Sequence, residues 1–313
     1  YGPAAQLERY DSFSEMLDAF YTRRDRAEQQ RRRSHDLIKT VRTLRDRQQR
    51  KLAAQCEELR RTEGREDIRH QAELVTANIY RLRRGDRSLE CEDYYDPACP
   101  VVHIELDPLK TPQQNAAALY KEYNKLKAAE QHLTVLTREG ERQLDYLNSV
   151  LDELERAETD RDLSDIRREL TETGYIRARK GGKAERVKPQ SPLKFVSDDG
   201  FEILAGRSNA QNDELTLKLA RRTDYWLHTQ RVHGSHVIIR CEGEEPPPRT
   251  LEQAAGIAAY YSQARGAGKV QVDYTMVRNV RKPSGALPGK VIYTDHKTML
   301  AESDGAIAER LKR

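Results

Sequence analysis

Apolar and small residues in the first part of the chain recur at alternating steps of three and four. This spacing is typical of a helix that packs along one face against a partner helix. This apolar pattern is interrupted in its middle, where Arg24, Arg31 and Arg45 fall on the packing face. The pattern predicts a long helix over about 10–61, and its apolar face consists of Tyr10, Phe13, Leu17, Phe20, Ala27, Ser34, Ile38, Val41, Leu52 and Leu59.

A second run of leucines has a seven-residue period that only Gly140 interrupts. Thr111 suits the cap before a helix and Pro112 suits its first turn, so a helix is predicted over about 112–158. Each helix would be roughly 70 Å long at 1.5 Å per residue. We expect the pair to form an antiparallel coiled-coil arm, with the second helix packing through Leu119, Leu126, Leu133, Leu147 and Leu154.

The connection between these helices, residues 62–111, is predicted to form a small α/β tip. A short amphipathic helix ends near Gly85, and alternating residues from Ser88 to Leu106 predict a hairpin. If the hairpin turns at residues 95–97, Cys91 and Cys99 lie nearly opposite one another. We expect them to be free thiols, because cytosolic thiols are kept reduced.

The pattern changes in the second half of the chain. Residues 175–190 are basic and contain glycine and proline, which is typical of a linker. Short β-rich runs then alternate with two helical stretches, so residues 191–313 are predicted to form one compact α+β domain. Residues 1–174 form the predicted coiled-coil domain, and the fold class is α+β.

Composition supports an extended molecule and excludes one class of protein. Charged residues make up 34% of the 313 residues and mean hydropathy is −0.89, so the charges need a large surface. No run approaches 18 apolar residues, which excludes an integral membrane protein. Four dispersed cysteines indicate a reducing cytoplasm. The chain starts at Tyr1 without an initiator Met, and we expect it to be a fragment.

The first helix carries a dense block of positive charge. Residues 23–51 include twelve basic and four acidic residues, and Arg31, Arg32 and Arg33 are consecutive. A basic helix face can neutralise RNA phosphates. The alternative is a solvated surface that serves solubility alone, and charge does not separate the two.

A cluster of metal ligands is a weaker interpretation of His228, His233, His236 and Cys241. Side chains alternate along a strand, so His228 and His236 would face away from His233 and Cys241. Zinc sites also have tighter paired spacings, and no metal or other cofactor is expected. Trp226 is expected in the core, with base stacking as the alternative if it is exposed.

Sequence motifs for catalysis are absent. Ser235 lacks the G-x-S-x-G context, and the glycines near residue 285 lie between prolines rather than in a phosphate-binding loop. No enzyme is therefore expected. The predicted RNA contacts of this half are Arg278, Arg281, Lys282, Lys290 and Lys297, with a solvated hairpin tip as the alternative. We expect Arg281 and Lys282 to be exposed.

Several segments carry a resemblance to a known family. Asp224–Thr229 reads DYWLHT and is followed by Gly234, Ser235 and His236; Val280–Gly285 reads VRKPSG. With Phe13–Tyr21 and Glu73–Tyr80 upstream, the chain resembles the NFACT family of RqcH-type and NEMF-type ribosome quality-control factors. Bacterial members are often labelled fibronectin-binding proteins. His233 departs from the proline expected before Gly-Ser-His.

The resemblance implies a middle coiled coil and an RNA-binding domain of the NFACT-R type. The NFACT-N domain and helix-hairpin-helix module of the family are not recognised here, and those parts carry much of the tRNA selection. The family implies a parent protein that binds the obstructed large ribosomal subunit through rRNA and a stalk-base protein. It also implies recruitment of alanyl-tRNA for untemplated alanine tailing. A fibronectin-binding adhesin and, less favoured, a nucleic-acid enzyme are the alternatives.

Overall fold

A computed structural model describes residues 12–157, 159–177, 190–303 and 305–313. The side chains of residues 15, 18–20 and 22–33 lie outside this description, as does most of the predicted linker. The chain divides into two compact units. We call residues 46–144 the hairpin unit, and residues 1–45 with 145–313 the sheet unit. The predicted α+β class is confirmed.

The hairpin unit contains parts of both long helices. Helix α1 is Phe13–Arg60, α2 is Arg65–Ala77 and α3 is Pro112–Arg156; strands β1 (Ser88–Glu92) and β2 (Val101–Glu105) pair antiparallel. Gly140 explains the gap in the leucine period, because a β-carbon there would lie 3.1 Å from Leu52 Cδ1. Gln48 Nε2 also donates to the Gly140 carbonyl at 3.2 Å. The glycine therefore lets α1 approach α3 closely.

The hairpin differs from the prediction in its register. Cys91 lies opposite Val102 and not opposite Cys99, which sits in the loop with a left-handed φ of 45°. Asp93 accepts from the Tyr95 amide at 3.0 Å, and Asp96 accepts from the Ala98 amide at 2.9 Å. These two side-chain turns lengthen the loop, so the expected facing of the two cysteines is wrong.

Three helical segments form one core of the sheet unit. They are the end of α1 up to residue 45, α3 from residue 145, and α4 (Asp160–Glu172). Thr159 and Asp162 form a capping box at the start of α4, which fixes its first turn. The buried residues of this core include Leu37, Val41, Leu147, Val150, Leu154, Ile166 and Leu170.

The larger core of this unit surrounds a six-stranded antiparallel sheet. Its order is β10-β7-β5-β6-β4-β3, from Lys297–Glu302, Lys269–Met276, Tyr225–Thr229, Val237–Ile239, Glu202–Ala205 and Leu193–Val196. Helices α6 (Pro248–Tyr260) and α7 (Gly305–Leu311) pack on one face. The surface that α6 presents to the sheet is rich in small residues. They include Ala254, Ala255, Ala258 and Ala259 around Gly256.

The opposite face of the sheet is covered by shorter elements. Helix α5 (Asn209–Glu214) continues into a π-helical segment, Leu215–Leu219, and strands β8 (Val280–Arg281) and β9 (Ile292–Tyr293) form a small hairpin. Trp226 lies beneath them with no exposed surface, in a cluster with Leu204, Leu215 and Ile238. In the described residues, no helix has the length and apolar character needed to cross a membrane.

Replacing Trp226 by Ala should lower the free energy of unfolding by about 3–5 kcal/mol, because it leaves a large cavity between two layers. Urea titration followed by far-UV circular dichroism measures this, since Trp226 is the sole tryptophan and the variant loses its fluorescence. Tyr80→Ala is the control, because 82% of Tyr80 is exposed and its loss should change stability by less than about 0.5 kcal/mol. A stable Trp226→Ala protein would contradict the core assignment.

All four cysteines are free thiols, and their burial divides them into two pairs. Cys56 and Cys99 are exposed. Burial raises the pKa of the Cys91 thiol, and it raises the pKa of the Cys241 thiol to about 11. A thiol reagent should therefore modify two groups rapidly in the native protein and four after unfolding. Only two reactive groups in the unfolded, freshly prepared protein would indicate a disulfide.

Candidate nucleic-acid interface

The aromatic side chains of the Trp226–His236 segment pack against one another rather than facing solvent. The Trp226 ring lies 4.7 Å from Tyr293 and 5.3 Å from His236, centroid to centroid, and stacks on His228 at 5.7 Å. The expectation that Trp226 belongs to the core is therefore confirmed. Its indole presents no surface on which a nucleotide base could stack.

Two of the three histidines in this segment, His228 and His236, are neutral. Burial lowers the pKa of His228 to about 4 and holds that of His236 well below its usual range. His236 Nδ1 lies 2.8 Å from Thr216 Oγ1, and its backbone amide donates to Asn212 Oδ1 at 3.0 Å. Among the described residues no group of three His, Cys, Asp or Glu side chains could hold a metal ion.

The Gly234-Ser235 turn contacts the end of helix α3. Arg156 Nη1 donates to Ser235 Oγ at 3.2 Å and to the Tyr261 carbonyl at 2.9 Å. A β-carbon on Gly234 would lie 2.9 Å from both Ser262 Cβ and Thr229 Oγ1, so this turn needs glycine. The Gly234-Ser235 turn therefore forms part of the contact between helix α3 and the sheet within the sheet unit. We call this contact the joint. The sequence alone does not reveal this contact, because Arg156 lies 79 residues before Ser235.

Further contacts between the helices and α5 complete the joint. Asn209 Nδ2 donates to Ser149 Oγ at 2.8 Å, and the Ala210 amide donates to Glu169 Oε2 at 2.8 Å. Gly289 has a φ of 77°, and a β-carbon there would meet Asn209 Oδ1 at 2.2 Å. The loop before β9 thus approaches α5 too closely for any other residue.

Two carboxyl groups, those of Glu153 and Glu169, are buried in this joint. Glu169 Oε1 accepts from the Tyr146 hydroxyl at 2.8 Å and its Oε2 from Ala210, which favours its ionised form. Glu153 Oε2 has no hydrogen-bond partner within the described part of the chain. Burial raises the pKa of both groups, and the charge of Glu169 raises that of Glu153 further. We therefore assign the proton to Glu153.

Two of the five predicted RNA-contacting cations are paired with carboxylates of the chain itself. Lys282 Nζ bonds to Asp213, and its side chain is only 25% exposed. The expectation of an exposed Lys282 is therefore wrong, because α5 supplies a carboxylate that draws it in. Lys290 Nζ lies 3.4 Å from Asp145, which His233 also contacts at 3.5 Å, but Lys290 remains exposed.

The other three cations do not form one cluster. Arg278 and Arg281 are exposed near the β8–β9 hairpin, and neither makes an ion pair with any residue that the structure describes. Lys297 is exposed on β10, but alternation places it on the α6 face with Met299. The side chains of Arg31, Arg32 and Arg33 lie outside the described residues, although their backbone belongs to α1.

Two family models cover this chain. The model described as "NFACT N-terminal and middle domains" matches residues 3–189. The model described as "NFACT protein RNA binding domain" matches residues 192–295, which contain the sheet and the β8–β9 hairpin. Matching regions therefore occur in the order that the sequence motifs predicted.

Curated relatives match the chain over nearly its whole length. The "Rqc2 homolog RqcH" of Bacillus subtilis is 37% identical over 313 residues, which is 98% of this chain and 54% of that protein. The protein of the same name from Streptococcus suis is 38% identical and covers 93% of this chain and 52% of its own. The chain spans about half the length of these relatives.

A solved structure has the same fold. It is described as the C-terminal of the fibronectin/fibrinogen-binding protein from Streptococcus suis, and it aligns with a TM-score of 0.71 at 33% identity. The alignment covers 91% of this chain and 99% of the other.

Glu153→Gln should make stability less dependent on pH. In the unfolded chain a glutamate loses its proton near pH 4.3, whereas native Glu153 retains it. The native state therefore binds more protons above pH 4.3, and stability falls as pH rises until the raised pKa is passed. The variant should remove up to about 1.4 kcal/mol per pH unit from this slope, the value for one proton.

Urea titrations between pH 4 and pH 9 measure this effect. Glu155→Gln is the matched control, because Glu155 is exposed on the same helix and should leave the slope unchanged. An unaltered slope in Glu153→Gln would show that Glu153 is ionised in the native protein.

Proposed function

The chain belongs to the NFACT family of RqcH-type and NEMF-type ribosome quality-control factors, and from that membership we propose that it binds an obstructed large ribosomal subunit. The observation that carries the proposal is the pair of family matches, one of them to an RNA-binding domain, across residues 3–189 and 192–295. The role is one of binding and positioning. We propose no catalytic step and no cofactor.

The helical part is proposed to supply ribosome affinity. Twelve basic residues against four acidic ones between residues 23 and 51 favour contact with rRNA, since each neutralised phosphate releases counterions. The same arm is proposed to contact a stalk-base protein. Because the proposed partner is the ribosome, the cytoplasm is the proposed location.

The α+β domain of residues 191–313, which we call the sheet domain, is proposed to contact RNA, including tRNA. Its exposed Arg278 and Arg281 have no carboxylate partner among the described residues and are available for phosphates. In the parent protein this contact would support recruitment of alanyl-tRNA for untemplated alanine tailing. Selection of that tRNA is proposed to lie in parts of the parent beyond this chain.

Fibronectin binding is a second candidate function. It is favoured by one observation, the structural neighbour described as a fibronectin/fibrinogen-binding protein. Binding to immobilised fibronectin separates the two candidates when it is measured beside binding to ribosomal subunits.

Co-sedimentation with large subunits that carry peptidyl-tRNA tests the main proposal. Replacing Arg31, Arg32 and Arg33 together by Ala should weaken binding and flatten its dependence on salt, by roughly 0.7–0.9 of slope per lost phosphate contact. The control removes the same charge from exposed residues of the sheet domain, Lys194, Lys269 and Arg313.

Equal losses in the two triple variants would show a general charge effect rather than an arm contact. A wild-type chain that ignores subunits and binds fibronectin would overturn the proposal in favour of the second candidate.

A further inference from the structure

The loop between β8 and β9, residues 282–290, consists of two tight turns, and we call it the Pro-Gly loop. Backbone hydrogen bonds of 3.1 Å and 3.3 Å close the turns that begin at Pro283 and Leu287. The third residue of each turn is a glycine with a left-handed φ, 71° at Gly285 and 77° at Gly289. Glycine adopts this conformation without strain, so the sequence itself fixes the path of the loop.

The strands that carry this loop are too short to hold it alone. Val280 pairs with Tyr293 and packs on the core, whereas the pair of Arg281 and Ile292 is exposed at the end next to the loop. A two-stranded hairpin is marginally stable in water unless other elements pack against it. The position of Arg281 therefore depends also on what anchors the Pro-Gly loop.

One carboxylate on α5 binds both ends of the loop. Asp213 Oδ2 pairs with Lys282 Nζ, and Asp213 Oδ1 accepts from the Gly289 amide at 3.1 Å. The Asp213 side chain is only 18% exposed. Burial raises the pKa of Asp213, whereas its bonds to Lys282 and Gly289 favour the ionised form. Asp213 therefore closes the loop through charge-assisted bonds that are partly shielded from water.

The second half of the loop is anchored to the helices of the sheet unit. Leu287 packs against the core that α1, α3 and α4 form. Lys290 Nζ lies 3.4 Å from Asp145 Oδ2, but both side chains are at least half exposed, so this pair contributes little. Of the two carboxylates that bind the loop, Asp213 is the buried one and holds it more strongly.

We propose that Asp213 is a positioning residue for RNA binding and that Lys282 acts through it. The pair holds the Pro-Gly loop so that Arg281 lies at a fixed place on the surface, where it contacts an RNA phosphate. Lys282 itself makes no RNA contact. This inference rests on the RNA binding proposed above, and it separates the cation that positions the hairpin from the cation that meets RNA.

The charges around these two neighbouring cations differ. A phosphate that approached Lys282 would also approach the Asp213 carboxylate, and the like charges would repel. Drawing Lys282 away would leave a largely buried carboxylate without its partner, which is costly. Arg281 is exposed and forms no ion pair with any residue that the structure describes. A phosphate can therefore bind Arg281 without breaking a contact of the fold.

Fluorescence anisotropy with the 313-residue chain and a labelled single-stranded RNA of about twelve nucleotides tests this. Asp213→Asn and Lys282→Gln should each weaken binding about three- to tenfold, because each releases the loop. The double variant should bind no more weakly than either single variant, since the two residues act as one unit. Arg281→Ala should also weaken binding, and Lys282→Gln should cause no further loss in that background.

Glu214→Gln is the matched control for charge, because it removes one negative charge from the next residue of α5 and should not weaken binding. Lys282→Arg keeps the ion pair with Asp213 and should bind within about twofold of the wild type. Urea titration of each variant establishes that it is folded. If Asp213→Asn does not fold, the combination of Lys282→Gln with Arg281→Ala makes the same test.

Unchanged or stronger binding by Asp213→Asn would show that this carboxylate does not position the hairpin and at most masks Lys282 from RNA. Additive losses in either double variant would show that Lys282 contacts RNA directly. Each of these results overturns the inference while RNA binding stands. If Arg281→Ala binds RNA as the wild type does, the proposed RNA contact of the hairpin fails, and the inference fails with it.

Discussion

One side chain, that of Arg156, links the end of helix α3 to the sheet domain. Its guanidinium bonds to Asp152 Oδ2 at 2.7 Å, to Ser235 Oγ and to the Tyr261 carbonyl, and only 14% of the side chain is exposed. Buried polar groups that lose such a partner destabilise a fold by the full cost of their desolvation. The position of the Gly-Ser turn, and with it the entry to β6, therefore depends on a helix that is distant in sequence.

Periodicity predicted the elements of this protein well, but it could not predict their contacts. The spacing of Leu133, Leu147 and Leu154 indicated α3, and alternation indicated the β-rich half. The order of the strands depends on backbone pairing between segments far apart in sequence, and the joint depends on side-chain pairs such as Asn209 and Ser149, which lie 60 residues apart. The hairpin register was wrong for a local reason, because the Asp93 and Asp96 side chains stabilise turns that a count of residues does not reveal.

The candidate RNA-contacting cations could likewise be predicted only in part from the sequence. Arg278 and Arg281 were found from charge alone, and the structure leaves both exposed. The charge pattern could not reveal that Asp213 holds Lys282, since the two are 69 residues apart. A count of basic residues therefore overestimates the charge that a polyanion meets, because internal carboxylates compete for part of it.

The small residues of α6 have a consequence for how this domain can change over evolution. Ala254, Ala255 and Ala258 let the helix lie close to one face of the sheet, so enlarging any of them would disturb the main core. The opposite face is covered in part by the β8–β9 hairpin, whose outer residues Arg281 and Ile292 are exposed. Substitutions at exposed positions such as these usually change stability by less than about 0.5 kcal/mol. The two sides of the sheet therefore differ in how much sequence change the fold tolerates.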